Sequence, residues 1–373
     1  MEEWKEYKLG DISTMKYGKL PPSSTGKLYP IWSGYRYVGM ADTSNCSKGT
    51  MVVVARGVGG TGDVKVAKED CYLTNLSIAV DLTPNVCNPY YLYYKYLIRN
   101  LKYLDSGSAQ SQITIDALKN LLIELPPLDY QNRIVSVFKS LDDKIEVNKR
   151  INENLEQQAQ ALFKSWFVDF EPFKNGEFVE SELGMIPKGW RVGGLFDIAE
   201  IFDKIRKPLS SRDRENMDRI YPYYGATSCM DYVDNYLFDG IYTLIGEDGS
   251  VVKEDGLPYM QYVWGKFWVN NHAHILQGKN GFSTEMIHVM LSLTNIQHLV
   301  TGAVQAKLSQ ANMQKILVAL PPIDVINMIR PLIDKLYQKR RNLEDENSRL
   351  AELRDTLLPK LMSGELKVND MNI

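Results

Sequence analysis

The chain has 373 residues, of which 44% are hydrophobic and 24% charged, a composition that supports a sizeable core in two or three domains. Its net charge of −3 excludes a strongly cationic nucleic-acid coat, and no apolar run reaches the roughly 18 residues of a membrane span. Four cysteines without a CxxC pair, and an acidic start unlike a signal peptide, favour a cytoplasmic protein without a disulfide framework.

Residues 1–128 are predicted to form a first globular domain. Gly, Tyr and β-branched residues are abundant, a strand is predicted over 50–55, and a helix is predicted over 90–104. Mixed short strands and helices of this kind indicate a compact α+β domain.

A long helix is predicted over 129–171, because no Pro or Gly occurs between Tyr130 and Phe170. Apolar residues recur at spacings of four and three, interrupted by Asn148 and Asn152. The predicted helix-pairing residues are Ile134, Phe138, Leu141, Ile145, Leu155, Leu162 and Trp166.

The same order then recurs: a linker over 172–183, a second globular domain over 184–322, a second long helix over 323–364, and a tail over 365–373. The second helix carries a leucine every seven residues, which extends the predicted pairing set. These leucines are Leu336, Leu343, Leu350 and Leu357.

The second half of the chain repeats the first. Trp4-Lys-Glu-Tyr-Lys-Leu-Gly-Asp reappears as Trp190-Arg-Val-Gly-Gly-Leu-Phe-Asp, and Tyr29-Pro30 as Tyr221-Pro222. Gly107-Ser-Ala-Gln-Ser-Gln-Ile-Thr reappears as Gly302-Ala-Val-Gln-Ala-Lys-Leu-Ser, and Leu125-Pro-Pro as Leu320-Pro-Pro. Because the order never changes and the period is near 190 residues, each copy is a domain rather than a solenoid unit.

The predicted fold class is therefore α+β, with two globular domains joined by two long helices. A single amphipathic helix of this length leaves its apolar seam exposed, so we expect the two helices to pair. Because a whole domain connects them, we expect an antiparallel coiled coil with an approximate two-fold axis, roughly 55 Å long at 1.5 Å per residue. Two domains so held would address two sites on one face of a duplex.

Three motifs admit a catalytic or metal interpretation, and a simpler one is favoured for each. Gly57-Val-Gly59-Gly-Thr-Gly62 matches a dinucleotide fingerprint, but the chain continues as a strand where that motif needs a helix. Asn88-Pro-Tyr-Tyr91 is similar to an adenine-methyltransferase motif without its second proline, and a helix N-cap explains it. His272-Ala-His274 offers two imidazoles without a third ligand, which favours ordinary polar or packing histidines.

Aromatic, cationic and amide side chains in loop-like settings are the candidate DNA contacts, because amides pair with adenine edges and cations with phosphates or guanine. They are Lys16, Lys19, Tyr35, Arg36, Arg56, Gln110, Gln112, Arg206, Lys207, Arg212, Tyr224, Lys266, Gln305 and Lys307. Packing aromatics and solvated charges remain an equally good interpretation of each single residue. Residues 1–128 carry a net charge of +2 and residues 184–322 a net charge of −1, so partners are expected to supply much of any DNA affinity.

Taken together, these segments resemble the specificity (S) subunit of type I restriction–modification enzymes. The resemblance covers nearly the whole chain and is carried by Trp4-Lys-Glu-Tyr-Lys-Leu-Gly-Asp, the Gly107-Ser-Ala-Gln segment, Leu125-Pro-Pro-Leu-Asp-Tyr-Gln-Asn-Arg-Ile134, Ala159-Gln-Ala-Leu-Phe-Lys-Ser-Trp-Phe-Val-Asp-Phe170, Leu183-Gly-Met-Ile-Pro-Lys-Gly-Trp190 and Leu353-Arg-Asp-Thr-Leu-Leu-Pro-Lys-Leu-Met-Ser-Gly364.

The resemblance implies a non-catalytic subunit with two target-recognition domains, each reading half of a bipartite site in double-stranded DNA. It implies that two modification (methyltransferase) subunits dock on the helices and that restriction (translocase and nuclease) subunits complete the complex. It also implies no cofactor or metal in this chain, with S-adenosylmethionine, ATP and Mg²⁺ confined to the partners.

Two other functions stay open from the residues alone. One is a methyltransferase in its own right, which the Asn88 motif and the Gly57 loop would support. The other is a double-headed scaffold for protein or sugar, which the near-neutral charge and the 22 tyrosines would support.

Overall fold

The computed structural model describes residues 4–21, 26–57, 60–105, 111–302 and 305–368. The chain divides into two compact units: unit 1 comprises residues 1–147 and 345–373, and unit 2 comprises residues 148–344. Each unit therefore contains one globular domain and a part of each long helix. Among the described residues, no helix combines the length and apolarity needed to cross a membrane.

In its described residues, the first globular domain contains nine strands and two short helices. The strands are β1 (Lys5–Lys8), β2 (Ser13–Tyr17), β3 (Tyr29–Ser33), β4 (Arg36–Ala41), β5 (Met51–Val54), β6 (Val64–Val66), β7 (Tyr72–Leu73), β8 (Ser77–Leu82) and β9 (Leu122–Leu125), and the helices are α1 (Pro89–Lys95) and α2 (Ile115–Lys119). They form a four-stranded sheet in the order β2-β8-β5-β6, a three-stranded sheet in the order β4-β3-β7, and the pair β1-β9.

The predicted helix over 90–104 is shorter than expected. The Asn88 side chain accepts a hydrogen bond from the Tyr90 amide at 2.9 Å and Pro89 opens α1, which confirms the predicted N-cap. The helix ends at Lys95, and the Asn100 side chain caps a separate 3₁₀ turn over Leu101–Leu104. A second capping residue inside the predicted range therefore divides it into two elements.

The first long helix, α3, spans Leu128–Phe167. A 3₁₀ turn over Glu171–Phe173 and a hairpin of β10 (Phe178–Ser181) and β11 (Gly184–Pro187) follow it. The residues predicted as a linker, 172–183, thus include a paired strand. The indole of Trp190 packs edge-on against the rings of Phe167, Phe170 and Phe173, with centroids 5.3–5.7 Å apart, which gives this stretch a fixed path.

The second globular domain repeats the pairing of the first with longer strands. Its remaining strands are β12 (Arg191–Gly194), β13 (Ala199–Ile201), β14 (Tyr221–Tyr224), β15 (Cys229–Val233), β16 (Phe238–Gly246), β17 (Met260–Val269), β18 (Ala273–Gly278) and β19 (Leu317–Leu320). Its helices are α4 (Leu195–Ile198), α5 (Ser211–Arg214), α6 (Thr284–Ser292) and α7 (Gln310–Met313). Six strands form one sheet in the order β13-β18-β16-β17-β14-β15, and β12 pairs with β19 as β1 pairs with β9. The helix α6 ends at Ser292, before a 3₁₀ turn over Gln297–Leu299.

The second long helix, α8, spans Ile323–Met362 and pairs antiparallel with α3 in each unit. In unit 1, Asp142 of α3 binds Arg354 of α8 at 2.8 Å. In unit 2, the Asn152 amide donates to Glu344 at 3.0 Å, and Arg340 lies 3.4 Å from Glu156. Numbers rise along one helix as they fall along the other, so the predicted fold class is confirmed.

The helix faces are built into the cores of the globular domains. Ile134, Phe138 and Leu155 are buried as expected, whereas the other predicted seam residues of α3 are half-buried, namely Leu141, Ile145, Leu162 and Trp166. In α8 the buried line runs through Ile333, Tyr337 and Leu358, and the heptad leucines beside it are half-buried: Leu336, Leu343, Leu350 and Leu357. Both helices contact a domain as well as each other, so their buried faces are wider than a two-helix seam.

Candidate nucleic-acid interface

In the first globular domain, two candidate residues meet at the end of β5. Arg56 and Gln112 form an isolated antiparallel bridge, and the Ile113 amide donates to the carbonyl of Ala55 at 2.9 Å. The Asp105 carboxylate accepts a hydrogen bond from the backbone N–H of Gln112 at 2.7 Å, which fixes the position of Gln112 beside Arg56. Gln110 lies outside the described residues. Arg56 and Gln112 are therefore neighbours at the end of β5.

A second group of candidates lies on the hairpin of β3 and β4. The guanidinium of Arg36 lies 5.2 Å from the ring centroid of Tyr35, and the Lys65 ammonium lies 5.9 Å from the same ring. Tyr37 is 55% exposed beside them. We call Tyr35, Arg36, Tyr37 and Lys65 the first cationic surface. Rings and cations arranged in this way suit contacts with phosphates and with bases.

Lys16 and Lys19 form a third group. Both are exposed, and both line a cavity of about 250 Å³ with Ser44 and Asn45. The Lys16 ammonium is 3.8 Å from the Asp81 carboxylate, an exposed pair that leaves the lysine available to solvent and ligands.

The second globular domain places its repeated segment at the equivalent strand end. Lys307 forms an isolated antiparallel bridge with Asp248, and the Leu308 amide donates to the carbonyl of Glu247 at 2.8 Å. Gln305 and Lys307 are exposed there. The position of Gln112 in the first copy is thus taken by Lys307 in the second.

Beneath this segment the second domain holds a buried ion network. Arg206 binds Glu247 at 2.6 Å and Asp203 at 3.3 Å, and its side chain is only 12% exposed. His274, 1% exposed, has Nδ1 at 2.5 Å from Asp203 and Nε2 at 2.6 Å from the carbonyl of Leu308. Burial opposes ionisation of Asp203, yet the hydrogen bond and charge of His274 and the charge of Arg206 hold its pKa below the ordinary value.

Both ring nitrogens of His274 lie within hydrogen-bond distance of oxygens, one of the Asp203 carboxylate and one of the Leu308 carbonyl. The Arg206 guanidinium pairs with both carboxylates of this largely buried network. In the first domain the corresponding strand positions are occupied by Ala55 and Ile78, both fully buried and apolar. The two copies share a backbone arrangement but have different chemistry under the candidate contacts.

The hairpin of β14 and β15 presents the second group of cations and rings. Arg219 lies 5.6 Å from the ring centroid of Tyr232, and Lys266 lies 4.7 Å from that of Tyr236. We call Arg219, Tyr232, Tyr236 and Lys266 the second cationic surface. The hairpin of β14 and β15 corresponds to that of β3 and β4, since each starts with Tyr-Pro and each first strand also pairs in parallel with another strand. Tyr35 and Arg36 lie at the turn of the first hairpin, whereas Arg219 and Tyr232 lie at the opposite end of the second, so the two surfaces do not occupy equivalent positions.

The remaining candidates of this domain differ in availability. Lys207 and Arg212 are exposed, and the carbonyl of Lys207 accepts the indole N–H of Trp268 at 2.6 Å. Tyr224 packs edge-on against Phe267 at 5.8 Å, and burial raises its pKa to about 12. Arg206 forms the ion pairs with Asp203 and Glu247 described above, so it has a structural role. Its contact with DNA stays a prediction.

Sequence reasoning did not select Tyr232 and Tyr236. Their signal is weak, because Tyr232 stands on a short strand and Tyr236 in the following turn, and only the fold brings them beside Arg219 and Lys266. The contacting residues are well separated along the chain, Arg219 from Tyr232 and Tyr236 from Lys266, and so leave no local pattern.

Among the described residues, one group could offer metal ligands: Asp203, Glu247 and His274 each place a ligand atom within 4.8 Å of the others. The guanidinium of Arg206 already lies between both carboxylates, and the His274 nitrogens are engaged, so the network is complete without an ion. After Gly62 the chain forms β6 rather than a helix, and a Cβ at Gly62 would lie 2.3 Å from the Lys102 amide nitrogen. Close packing accounts for that glycine.

Comparison with known proteins decides the family. The domain described as "Type I restriction modification DNA specificity domain" matches residues 1–157 and again residues 187–349, most of the chain and both repeats. The chain belongs to this family. It is a DNA-recognition component of type I restriction–modification, as the resemblance of its motifs implied.

Relatives of this specificity chain extend over its full length. It is 27% identical over 422 residues to the type I restriction enzyme MjaIX specificity subunit of Methanocaldococcus jannaschii, covering 99% of this chain and 95% of that one. A putative specificity subunit of Haemophilus influenzae, S.HindORF215P, is 35% identical over 162 residues, covering 43% and 40%. The crystal structure of the S subunit from M. genitalium shares the fold, with a TM-score of 0.63 at 19% identity and 96% coverage of both chains.

Proposed function

We propose that each globular domain of this specificity subunit reads one half of a bipartite site in double-stranded DNA. The supporting observation is the repeated strand end at which each domain presents a polar or charged side chain, Gln112 or Lys307. Each domain also carries cations beside aromatic rings on or next to the corresponding hairpin, at different ends of that hairpin in the two copies. Because these side chains differ between the copies, the two half-sites would differ in sequence.

The charge of the chain supports a role within a larger complex. With domain charges of +2 and −1, the phosphate term that normally dominates DNA affinity is small. We infer that two modification (methyltransferase) subunits dock on the long helices and supply that term together with adenine methylation. Restriction (translocase and nuclease) subunits would add ATP-driven translocation and cleavage. In this proposal the present chain is non-catalytic, and S-adenosylmethionine, ATP and Mg²⁺ are held by the partners.

The paired helices would set the spacing of the two half-sites. Their register is fixed by polar contacts within each unit, such as Asn152 with Glu344 and Asp142 with Arg354. A polar side chain in an apolar seam specifies one register because every shifted register leaves it unpaired. A fixed register gives a fixed length, which a spacer of constant length requires.

A domain exchange tests the half-site assignment. Residues 184–322 are replaced by the corresponding segment of a relative with a different specificity, and the methylation sites of cells carrying the reconstituted methylase are sequenced. We expect one half-site to change while the other half and the spacer stay the same. The control replaces residues 1–128 and should change the opposite half. Changes in both halves from either exchange would contradict separate reading.

A paired insertion tests the ruler. One heptad is inserted between Asn152 and Glu153 in α3, and another between Leu343 and Glu344 in α8, which keeps the antiparallel register. Each heptad adds about 10 Å of helix, or about three base pairs of spacer. An insertion into α3 alone is the control, and we expect it to abolish activity. A methylated site with an unchanged spacer after the paired insertion would refute the ruler.

Binding of S-adenosylmethionine separates this proposal from the methyltransferase alternative. Isothermal titration of the purified chain should show no binding, whereas the complex with modification subunits should bind. Stoichiometric binding to the chain alone would favour the alternative.

A further inference from the structure

Two cysteines of the first globular domain face each other across neighbouring chain segments. Cys46 and Cys71 form an isolated antiparallel bridge in which each amide donates to the other's carbonyl, at 3.1 and 2.9 Å. Opposed residues of such a hydrogen-bonded pair have Cα atoms about 5.5 Å apart. That distance lies inside the range that disulfides span, about 4.4–6.8 Å.

The two side chains leave the backbone on the same side, because directly opposed residues of an antiparallel pair share one face. They are 3% and 2% exposed and share an apolar cluster with Leu73 and Ala79, against which Trp32 packs. The other cysteines are placed differently, since Cys87 belongs to another buried cluster and Cys229 is exposed in unit 2.

The surroundings divide the roles of the two thiols. The hydrogen bond from Cys71 lowers the pKa of Cys46, with a further hydrogen bond from Thr50 and the charge of Lys16 acting against burial and Asp81. The same hydrogen bond, together with burial, raises the pKa of Cys71. Cys46 also directly follows Asn45, which lines the neighbouring cavity, so we assign Cys46 as the attacking thiol.

A cavity lies next to the cluster that holds both thiols. The cavity of about 250 Å³ that Lys16 and Lys19 line is bounded by Asn45, the residue before Cys46, and by Leu73 and Ala79 of the cysteine cluster. Two exposed ammonium groups at its rim attract anionic reagents.

We propose that Cys46 and Cys71 are a reversible thiol-oxidation site, which forms an intramolecular disulfide on reaction with an anionic low-molecular-weight disulfide. The Cys46 thiolate attacks one sulfur of the reagent, its S–S bond breaks, and one half leaves as a thiolate while the other half stays on Cys46 as a mixed disulfide. Cys71 then loses its proton to solvent and attacks the Cys46 sulfur, which releases the second half. In total the two cysteines lose two electrons and two protons, and the reagent gains them to become two thiols.

The disulfide would close the chain segment from residue 46 to residue 71, which contains β5, β6 and Arg56. A crosslink of this kind restricts the unfolded chain and so stabilises the folded domain. The inference does not depend on DNA reading by the chain, so its test and the domain exchange above fail independently.

The test uses the full native chain and oxidised glutathione as the probe. After blocking of free thiols, mass spectrometry should show an intact chain lighter by two hydrogen atoms and a linked peptide pair containing Cys46 and Cys71, both reversed by dithiothreitol. Thermal unfolding of the oxidised chain should have a higher midpoint, and reductant should abolish the increase. Glutathione adducts on Cys229 without the linked pair, or a linked pair that forms only in urea, would overturn the proposal.

Variants identify the order of attack. Cys71→Ser should accumulate the glutathione adduct on Cys46, because the second step is removed, whereas Cys46→Ser should acquire none on Cys71. The double variant Cys87→Ser with Cys229→Ser is the matched control and should still form the linked pair. A glutathione adduct on Cys71 in Cys46→Ser would reverse the assignment of the nucleophile.

Discussion

His288 makes the stability of unit 2 sensitive to acid. Its ring is 5% exposed on α6, Nδ1 lies 2.6 Å from the Thr243 hydroxyl, and the rings of Tyr262 and Tyr337 are 5.4 and 5.9 Å away. Burial, with the nearby charge of Arg340, lowers its pKa from 6.5 to about 3. The folded chain therefore holds a neutral imidazole at every pH above about 3.

The sign and size of the effect follow from linkage. A base whose folded pKa is depressed contributes stability above its unfolded pKa of 6.5, and that stability is lost as pH falls toward the folded value. Each pH unit below 6.5 removes about 1.4 kcal/mol, so the loss between pH 7.5 and pH 5 is about 2 kcal/mol.

The assay compares the native chain with His288→Gln in urea unfolding at pH 7.5 and pH 5. All other titrating groups are common to the native chain and the variant. The change with pH in the difference between their free energies of unfolding therefore reports on His288 alone. We expect the native chain to lose about 2 kcal/mol relative to the variant. His298→Gln, at an exposed position, is the control and should follow the native chain. A stability difference that stays constant with pH would refute a neutral buried ring, as would an NMR signal assigned to the His288 imidazole that titrates near 6.5.

Three further predictions concern buried contacts and exposed charge. Arg206→Ala should lower the free energy of unfolding by about 3 kcal/mol, because it leaves two carboxylates buried without their cation. The control Lys207→Ala should change it by less than about 0.5 kcal/mol. Chemical denaturation measures both, and equal effects would contradict the ion network. Gln131→Ala should lower the free energy of unfolding by about 3 kcal/mol by the same measurement, since the fully buried side-chain amide makes three hydrogen bonds to backbone groups. The exposed Asn132→Ala should lower it much less, and similar decreases for both variants would contradict a structural role of the Gln131 hydrogen bonds. Lys307→Ala should reduce the salt dependence of DNA binding by the assembled methylase by about one phosphate contact, and an unchanged slope would remove Lys307 from the interface.

The sequence predicts the architecture well because its signals are long and repeated. A stretch of 40 residues without Pro or Gly specifies α3 to within a few residues, and the order of repeated motifs specifies two domains with one topology. Local capping chemistry was equally readable, as Asn88 and Pro89 show. The division of the helix predicted over 90–104 was missed because its second cap, Asn100, depends on a turn that tertiary packing stabilises.

The candidate site was less predictable. The candidate lysines are exposed, whereas the candidate tyrosines Tyr35 and Tyr224 are half-buried, and sequence alone does not separate an exposed arginine from a buried one. Asp203 and Glu247 reach Arg206 from 3 and 41 positions away, and only the fold shows that they meet. In α8 the buried line lies one residue away from the leucine heptad. This shift also depends on the fold, because the helix contacts a globular domain that the heptad pattern does not describe.

Unit 1 is assembled from both ends of the polypeptide. Leu358 and Leu361 are 2% and 0% exposed in the same buried cluster as Ile134 and Phe138, more than 200 positions earlier. These leucines are synthesised after all of unit 2, so during translation unit 2 has its whole sequence available while the first globular domain still lacks part of its core. A chain that terminates before Leu358 would thus lack core residues of the domain that was translated first.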